Sequence, residues 1–327
     1  MNFSQTAAQV NVLVYGTRIV ASPSIFLNSF VLFISTHKKL IKGQYKWFLG
    51  NLAFTDLFLS LIYFILQPIV SSGPPEALTS AACNFLCYGG NYAGLAMVFS
   101  IFLVAYNRFV CICESVQEHN RIFTNRSCLL FCLVAHLLAL AITAPILLET
   151  DHPMPTEPKI CTTFVKRSWL SMTSVGLSGA ALTVSLGITC HFAHCIYKTL
   201  KNHSRQVQSV METKRLQRNR NIMKAIMLQV GIACGSCVPT GIFAMSLPFL
   251  QVNWYLEVAV IFTIFSNPTL DAVTTLCVVK PYRCVLVNLL SGLKRGRLVL
   301  QGSEMTEVYQ RQHARRINPN RMMETRF

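Results

Sequence analysis

The sequence predicts an all-α membrane protein. It is a seven-transmembrane helix bundle with its N-terminus outside, its C-terminus inside and a short amphipathic helix after span seven. Three observations carry that prediction. Apolar residues make up 52% of the 327 positions and charged residues only 13%, about half the charge of a soluble domain. Seven mostly apolar segments each approach or exceed the roughly 20 residues needed to cross hydrocarbon. Of the 29 Lys and Arg, all but Arg18, Lys159, Lys166 and Arg167 fall on one side of the resulting topology, as the positive-inside rule requires.

The elements follow in order. Residues 1–9 form a short extracellular N-terminus with a glycosylation sequon at Asn2. They carry neither a basic region nor a cleavage site, so the first span acts as its own insertion signal. Span one (10–35) is the weakest, interrupted by Asn11 and by Arg18, which can snorkel to the interface. The loop after it carries Lys38, Lys39, Lys42 and Lys46. Span two (47–70) ends at the turn Gly73-Pro74-Pro75, and span three (83–112) is followed by Arg121 and Arg126. Spans four (127–149) and five (169–196) are the clearest, with a proline-rich outer loop from His152 to Pro158 between them. A basic loop from Lys198 to Lys224 leads to span six (221–247), which contains Pro239. Span seven (253–279) stops on Lys280-Pro281-Tyr282-Arg283, and Tyr282 to Leu293 reads as an amphipathic helix lying along the membrane. Cys284 there is a palmitoylation candidate. The membrane domain thus covers 10–293, and 294–327 is a polar cytoplasmic tail with too little apolar surface to order it.

This distribution decides between function classes. The net charge of +16 is topological and meets anionic lipid, not nucleic acid, for which no recognition fold is present. Cys190-His191-Phe192-Ala193-His194-Cys195 has metal-like spacing, but it lies at the inner end of span five without an acidic companion. Span four offers only His136, so neither a metal site nor a membrane hydrolase is expected, and no cofactor. Cys234 and Cys237 sit inside a membrane helix, away from redox partners. No internal repeat suggests a transporter. Cys83 and Cys161 both face the oxidising side, where a disulfide persists, with Cys87 one turn deeper as the alternative partner. Asn125 and Asn202 also match the sequon but face the cytosol and should remain unmodified.

Ionisable residues at membrane depth are costly and face the bundle interior. Asp56 and Asp271 are the main ones, and Asp271 lies one helical turn beyond Asn267 on the same face. Pro268 removes a backbone hydrogen bond and lets span seven kink and present these groups inward.

Set in order, these residues resemble the rhodopsin-like G-protein-coupled receptors: Asn28 in span one, Asn51-Leu52-Ala53-Phe54-Thr55-Asp56 in span two, Tyr106-Asn107-Arg108-Phe109 at the end of span three, Pro239 in span six and Asn267-Pro268 in span seven. Cys83 stands 25 residues before Arg108, the spacing at which that family forms its loop disulfide. Pro268 with Asp271 and the Lys280-to-Arg283 exit look more closely like the nematode serpentine chemoreceptors of the Str and Srd type. So do Tyr45-Lys46-Trp47-Phe48-Leu49 before span two and the run from Met211 to Gln229 before span six.

The resemblance implies a chemosensory receptor at the plasma membrane, with a sensory cilium as one expected place, a small-molecule ligand outside and a heterotrimeric G protein inside. A peptide or neurotransmitter receptor is the alternative, and a ligand-gated channel a further one. The implied ligand site lies between the outer halves of the helices, at Asn91, Tyr92 and Leu95, at Thr240, Phe243 and Ala244, and at Trp254, Glu257 and Ile261. Glu257 would anchor a cationic ligand or simply be a solvated helix end. Opsins need a lysine where Ile261 stands, and amine receptors an acid where Gly90 stands. The implied activation switch comprises Asn28, Asp56, Arg108, Cys237, Pro239, Asn267, Pro268 and Asp271. G-protein contacts fall on Tyr106, Arg108, Lys214, Arg215 and Arg218.

Departures from the family pattern matter. Asn107 replaces the acid beside Arg108, Cys237 the toggle tryptophan and Asp271 the inner tyrosine of span seven. Asp271 is therefore expected either to meet Arg108 in one state, in place of the missing acid, or to meet Lys280 or water at the membrane edge.

Overall fold

The computed structural model of the chain describes residues 3–37, 40–41, 43–72, 76–114, 116–147, 169–206, 224, 227–236, 239 and 254–294. Among them the regular structure is helical throughout: α1 (Phe3–Thr36), α2 (Tyr45–Ser72), α3 (Glu76–Cys113), α4 (Val116–Ile122), α5 (Asn125–Leu147), α6 (Trp169–Gln206), α7 (Met227–Ser236), α8 (Trp254–Val278) and α9 (Lys280–Lys294).

Helix is the form lipid demands, because each peptide group then finds its partner within its own segment. Among the described residues, five helices are long and apolar enough to cross a membrane, with spans at Val14–Thr36, Tyr45–Val70, Ala81–Cys113, Asn125–Pro145 and Thr173–Asn202. The apolar helix α7 lies within span six. The pair α8 and α9 passes the same test but is bent by 84°. Together with the seven-span pattern of the sequence this is a seven-transmembrane bundle with a separate helix turned off its last span. Prolines 23, 68, 145 and 268 lie inside α1, α2, α5 and α8 without ending them, a tolerance expected where neighbouring helices re-satisfy the freed carbonyls.

Packing order explains which residues are buried. Of its apolar stretch, α3 buries 61% within the protein, against 28% for α5 and 17% for α6. It is therefore the central helix, flanked by α2, α5 and α6, while α1 packs on α2 and α8. The outward side of α5 presents Leu129, Leu130, Leu133, Val134, Leu137 and Leu138, a surface suited to lipid. The main core lies in the inner half, where Ile34, Phe48, Leu52, Ile101, Phe123 and Tyr282 are almost fully buried. Close approach of α2 to α3 depends on Gly90, where a Cβ would stand 2.7 Å from the Tyr63 hydroxyl.

Helix ends differ from the spans read off hydropathy. α3 begins at Glu76 and α6 runs on to Gln206, because a hydropathy window marks hydrocarbon thickness while helical hydrogen bonding continues into water. α1 likewise begins at Phe3, although its apolar stretch begins at Val14. α5 starts at a true cap: the Thr124 hydroxyl accepts from the Ser127 backbone N–H at 3.1 Å. α9 starts two residues before the expected helix, with Pro281 in its first turn, where the missing N–H costs nothing.

Candidate functional site

Among the described residues, three polar groups bear on function. The innermost surrounds Arg108 at the end of α3. Its side chain is nearly buried, and its guanidinium carbon sits 4.3 Å from the centre of the Tyr45 ring at the start of α2. Asn107, where an acid would have been an ion-pair partner, turns instead to α4, and its amide nitrogen donates to His119 Nε2 at 3.2 Å. Burial, then the nearby Arg108 charge, hold the His119 imidazole below its ordinary value, opposed by a hydrogen bond with Asn120. Tyr106 is half-buried in an aromatic cluster, 6.2 Å from Phe102, 5.7 Å from Phe192 and 5.5 Å from Phe123 between ring centres. Tyr282 of α9 is fully buried and shares a 2.7 Å hydrogen bond with Ser35 of α1. This pins the surface helix to the bundle.

The second group lies at mid-depth. Asn28 Nδ2 donates to the Pro268 carbonyl at 3.0 Å and also reaches the Ser24 carbonyl and hydroxyl. Ser24 and Ser60 share a 2.6 Å hydrogen bond, and Ser60 donates to the Asp56 carbonyl. Asn267 donates to Met97 Sδ at 3.0 Å. Gln229 of α7 donates to Thr275 of α8 at 3.1 Å. Asp56 and Asp271 are both 1% exposed and are electrostatic neighbours. None of their four carboxyl oxygens has a hydrogen-bond partner among the described residues. Asn28, Asp56 and Asn267 thus occupy one region, but Asn28 is tied to the backbone beside Asn267 and not to Asp56. Asp271 joins neither Arg108 nor Lys280 in this conformation.

The third group links three helices in the bundle. Its donors can be assigned from the chemistry. Asn51 Nδ2 donates to Ser100 Oγ at 2.7 Å, and Ser100 donates on to the Ala96 carbonyl at 2.6 Å. Asn51 Oδ1 therefore accepts from His136 Nε2, at 2.9 Å. Nδ1 of the neutral ring is then the acceptor for the Tyr92 hydroxyl, at 2.7 Å. Protons all point one way along Tyr92, His136, Asn51, Ser100 and Ala96, from α3 through α5 and α2 and back to α3.

This arrangement of a buried arginine closing the central helix, a proline-containing span seven tied to span one and a helix turned off at its end agrees with a family comparison. The model of the seven-transmembrane receptors of the rhodopsin family matches residues 27–279. The chain belongs to that family. A comparison with curated proteins finds no match. The receptor is thus a multi-pass membrane protein of a family that signals through ligand and G protein and is generally not enzymatic.

The expected site residues are placed unequally. Of the ligand residues, Asn91 donates to the Cys87 carbonyl of its own helix at 2.8 Å, Tyr92 spends its hydroxyl on His136, and Leu95 is buried against Ala139 of α5. The backbones of Trp254 and Glu257 open α8, but their side chains lie outside the described residues, as do Asn2, Cys161, Lys214, Arg215, Arg218, Cys237, Thr240 and Phe243. Pro239 is helical and exposed. Cys83 is disulfide-bonded and its partner lies outside the described residues, since Cys87 and the other described cysteines are thiols. Sequence reasoning missed Tyr45, His119 and the Asn51–Ser100 pair. The one signal for the first two was Asn107 itself, whose lack of charge obliges Arg108 to be held by something else.

Proposed function

We propose that the receptor is chemosensory, of the nematode serpentine type, taking a small and largely apolar ligand in the outer half of the bundle and activating a heterotrimeric G protein at the inner end. The observation that carries the reading is Arg108. It is a nearly buried cation at the inner end of α3, the most enclosed of the five described spans, the place where a helix-in-groove partner would meet it. Gly90 supports the ligand class, because Tyr63 occupies the space in which an amine-binding acid would stand. Pairing of Cys83 with Cys161, plasma-membrane and ciliary location, and glycosylation at Asn2 belong to the same reading. It is tested in cells expressing the full chain with a promiscuous G protein, reading calcium or cyclic nucleotide against volatile and water-soluble metabolites. A response that Arg108→Ala abolishes supports it. A response to peptides alone points to a peptide receptor, and one that survives Arg108→Ala and removal of G protein points to a channel.

A further inference from the structure

We infer that Tyr45 is the positioning residue for Arg108: its ring face takes over the holding role that an acid at position 107 would have had, and signalling requires the two to part. The inference rests on the reading of Arg108 as the G-protein-facing residue. Its physical basis is independent of that reading. Arg108 is 9% exposed and Tyr45 8% exposed, so the guanidinium over the ring at 4.3 Å is largely desolvated. A cation–π contact is strongest in that setting.

A second observation shows that the ring's place is prepared. Gly43, two residues earlier, has φ +130°, and a Cβ there would stand 2.9 Å from Tyr45 Cε1. Both the backbone and the space therefore call for glycine, and the turn into α2 is built around the Tyr45 ring. The third is electrostatic. Tyr282, anchored to Ser35, is a neighbour of both Tyr45 and Arg108, so the contact is backed by α9 and by α1. Asn107 cannot compete for Arg108 as an anion, and its amide is engaged by His119.

The test uses the full chain purified into lipid nanodiscs, with Tyr45→Phe, Tyr45→Trp and Tyr45→Leu, each made with Arg108 and with Arg108→Met. Thermal unfolding is read first, without G protein. Leu should lower Tm by about 2–4 °C more than Phe does, and that difference should shrink once Arg108 is Met. Basal nucleotide exchange on a panel of purified Gα subunits is read second, with no ligand added. Leu should raise it several-fold, up to about tenfold, while Phe and Trp stay near the parent. The inference is overturned if Phe behaves as Leu does, if the Tm difference is unchanged by Arg108→Met, or if Leu leaves basal exchange unaltered where Arg108→Met abolishes it. If Arg108→Met changes exchange on no Gα subunit, the receptor reading fails instead, and with it the signalling half of the inference.

Discussion

Protonation of His119 is the smallest change that disturbs the inner site. Its Nε2 accepts from Asn107 and its ring lies near Arg108, so a proton removes the acceptor and adds a like charge. Burial first and Arg108 second lower its affinity for that proton from the ordinary 6.5. The closed arrangement therefore binds fewer protons than an opened one below that value and loses stability as pH falls through it. Basal exchange should rise as the pH on the G-protein side is lowered from about 7.5 to about 6. His119→Gln, which keeps an acceptor and cannot titrate, should flatten the curve, and a rise that persists in it refutes the assignment. At the Tyr92–His136 relay, Tyr92→Phe should cost about 0.6–1.7 kcal/mol, the range for a hydrogen bond between membrane helices. His136→Phe should cost more, since it strands both Tyr92 and Asn51, and His136→Gln should recover the Asn51 half. Thermal melts of the three variants check this; equal losses in all three would contradict it.

Helix contacts make separate demands on glycines of one element. At Gly90 of α3 an added Cβ meets the Tyr63 hydroxyl, whereas at Gly94, one turn on, nothing lies within 4 Å. Gly90→Ala should therefore destabilise by about 1–3 kcal/mol through overpacking, and pairing it with Tyr63→Phe should restore part of the loss. Gly94→Ala should be neutral or stabilising by up to about 1 kcal/mol from helix propensity alone. Melting temperatures falling equally at the two positions would show that the close approach of α2 and α3 is not what Gly90 serves. The contrast also shows where sequence reading stops. Spans two to five were legible because twenty apolar residues are a local signal, and so was the surface helix, announced by Lys280-Pro281-Tyr282-Arg283. The inner polar residues were half legible: Asn107 announced a missing acid, and Arg108, Asn28 and Asp271 stood at readable spacings. Their partners were not. Tyr45 meets Arg108, and Asn51 meets His136, only through the rotation and height of one helix against another, which no local pattern encodes. Tyr92 was placed in the implied ligand site by the resemblance, which does not say that its hydroxyl meets His136 of α5.

At the scale of the whole molecule, the bundle is tied at both faces. Outside, Cys83 carries a disulfide at the head of the central helix. If Cys161 is its partner, Cys83→Ser and Cys161→Ser should each cost about 2–4 kcal/mol, and the double variant no more than either. Cys87→Ser should stay near the parent. Additive losses in the first pair would exclude that pairing. Inside, Tyr45, Arg108, Asn107 and His119 gather the ends of α2, α3 and α4, and Tyr282 fastens α9 to α1 through Ser35. In the proposed reading a signal from the outer half loosens this inner set, which makes Arg108 the residue through which the account stands or falls. The most direct measurement is nucleotide exchange on purified Gα subunits by the chain in nanodiscs, with the metabolite mixture that is active in cells, comparing the parent with Arg108→Ala. Accelerated exchange by the parent on at least one subunit, lost in a variant that still melts cooperatively, is the predicted result. Equal exchange with and without Arg108, or ion flux through the nanodisc-free protein in sealed vesicles with no G protein present, would contradict it.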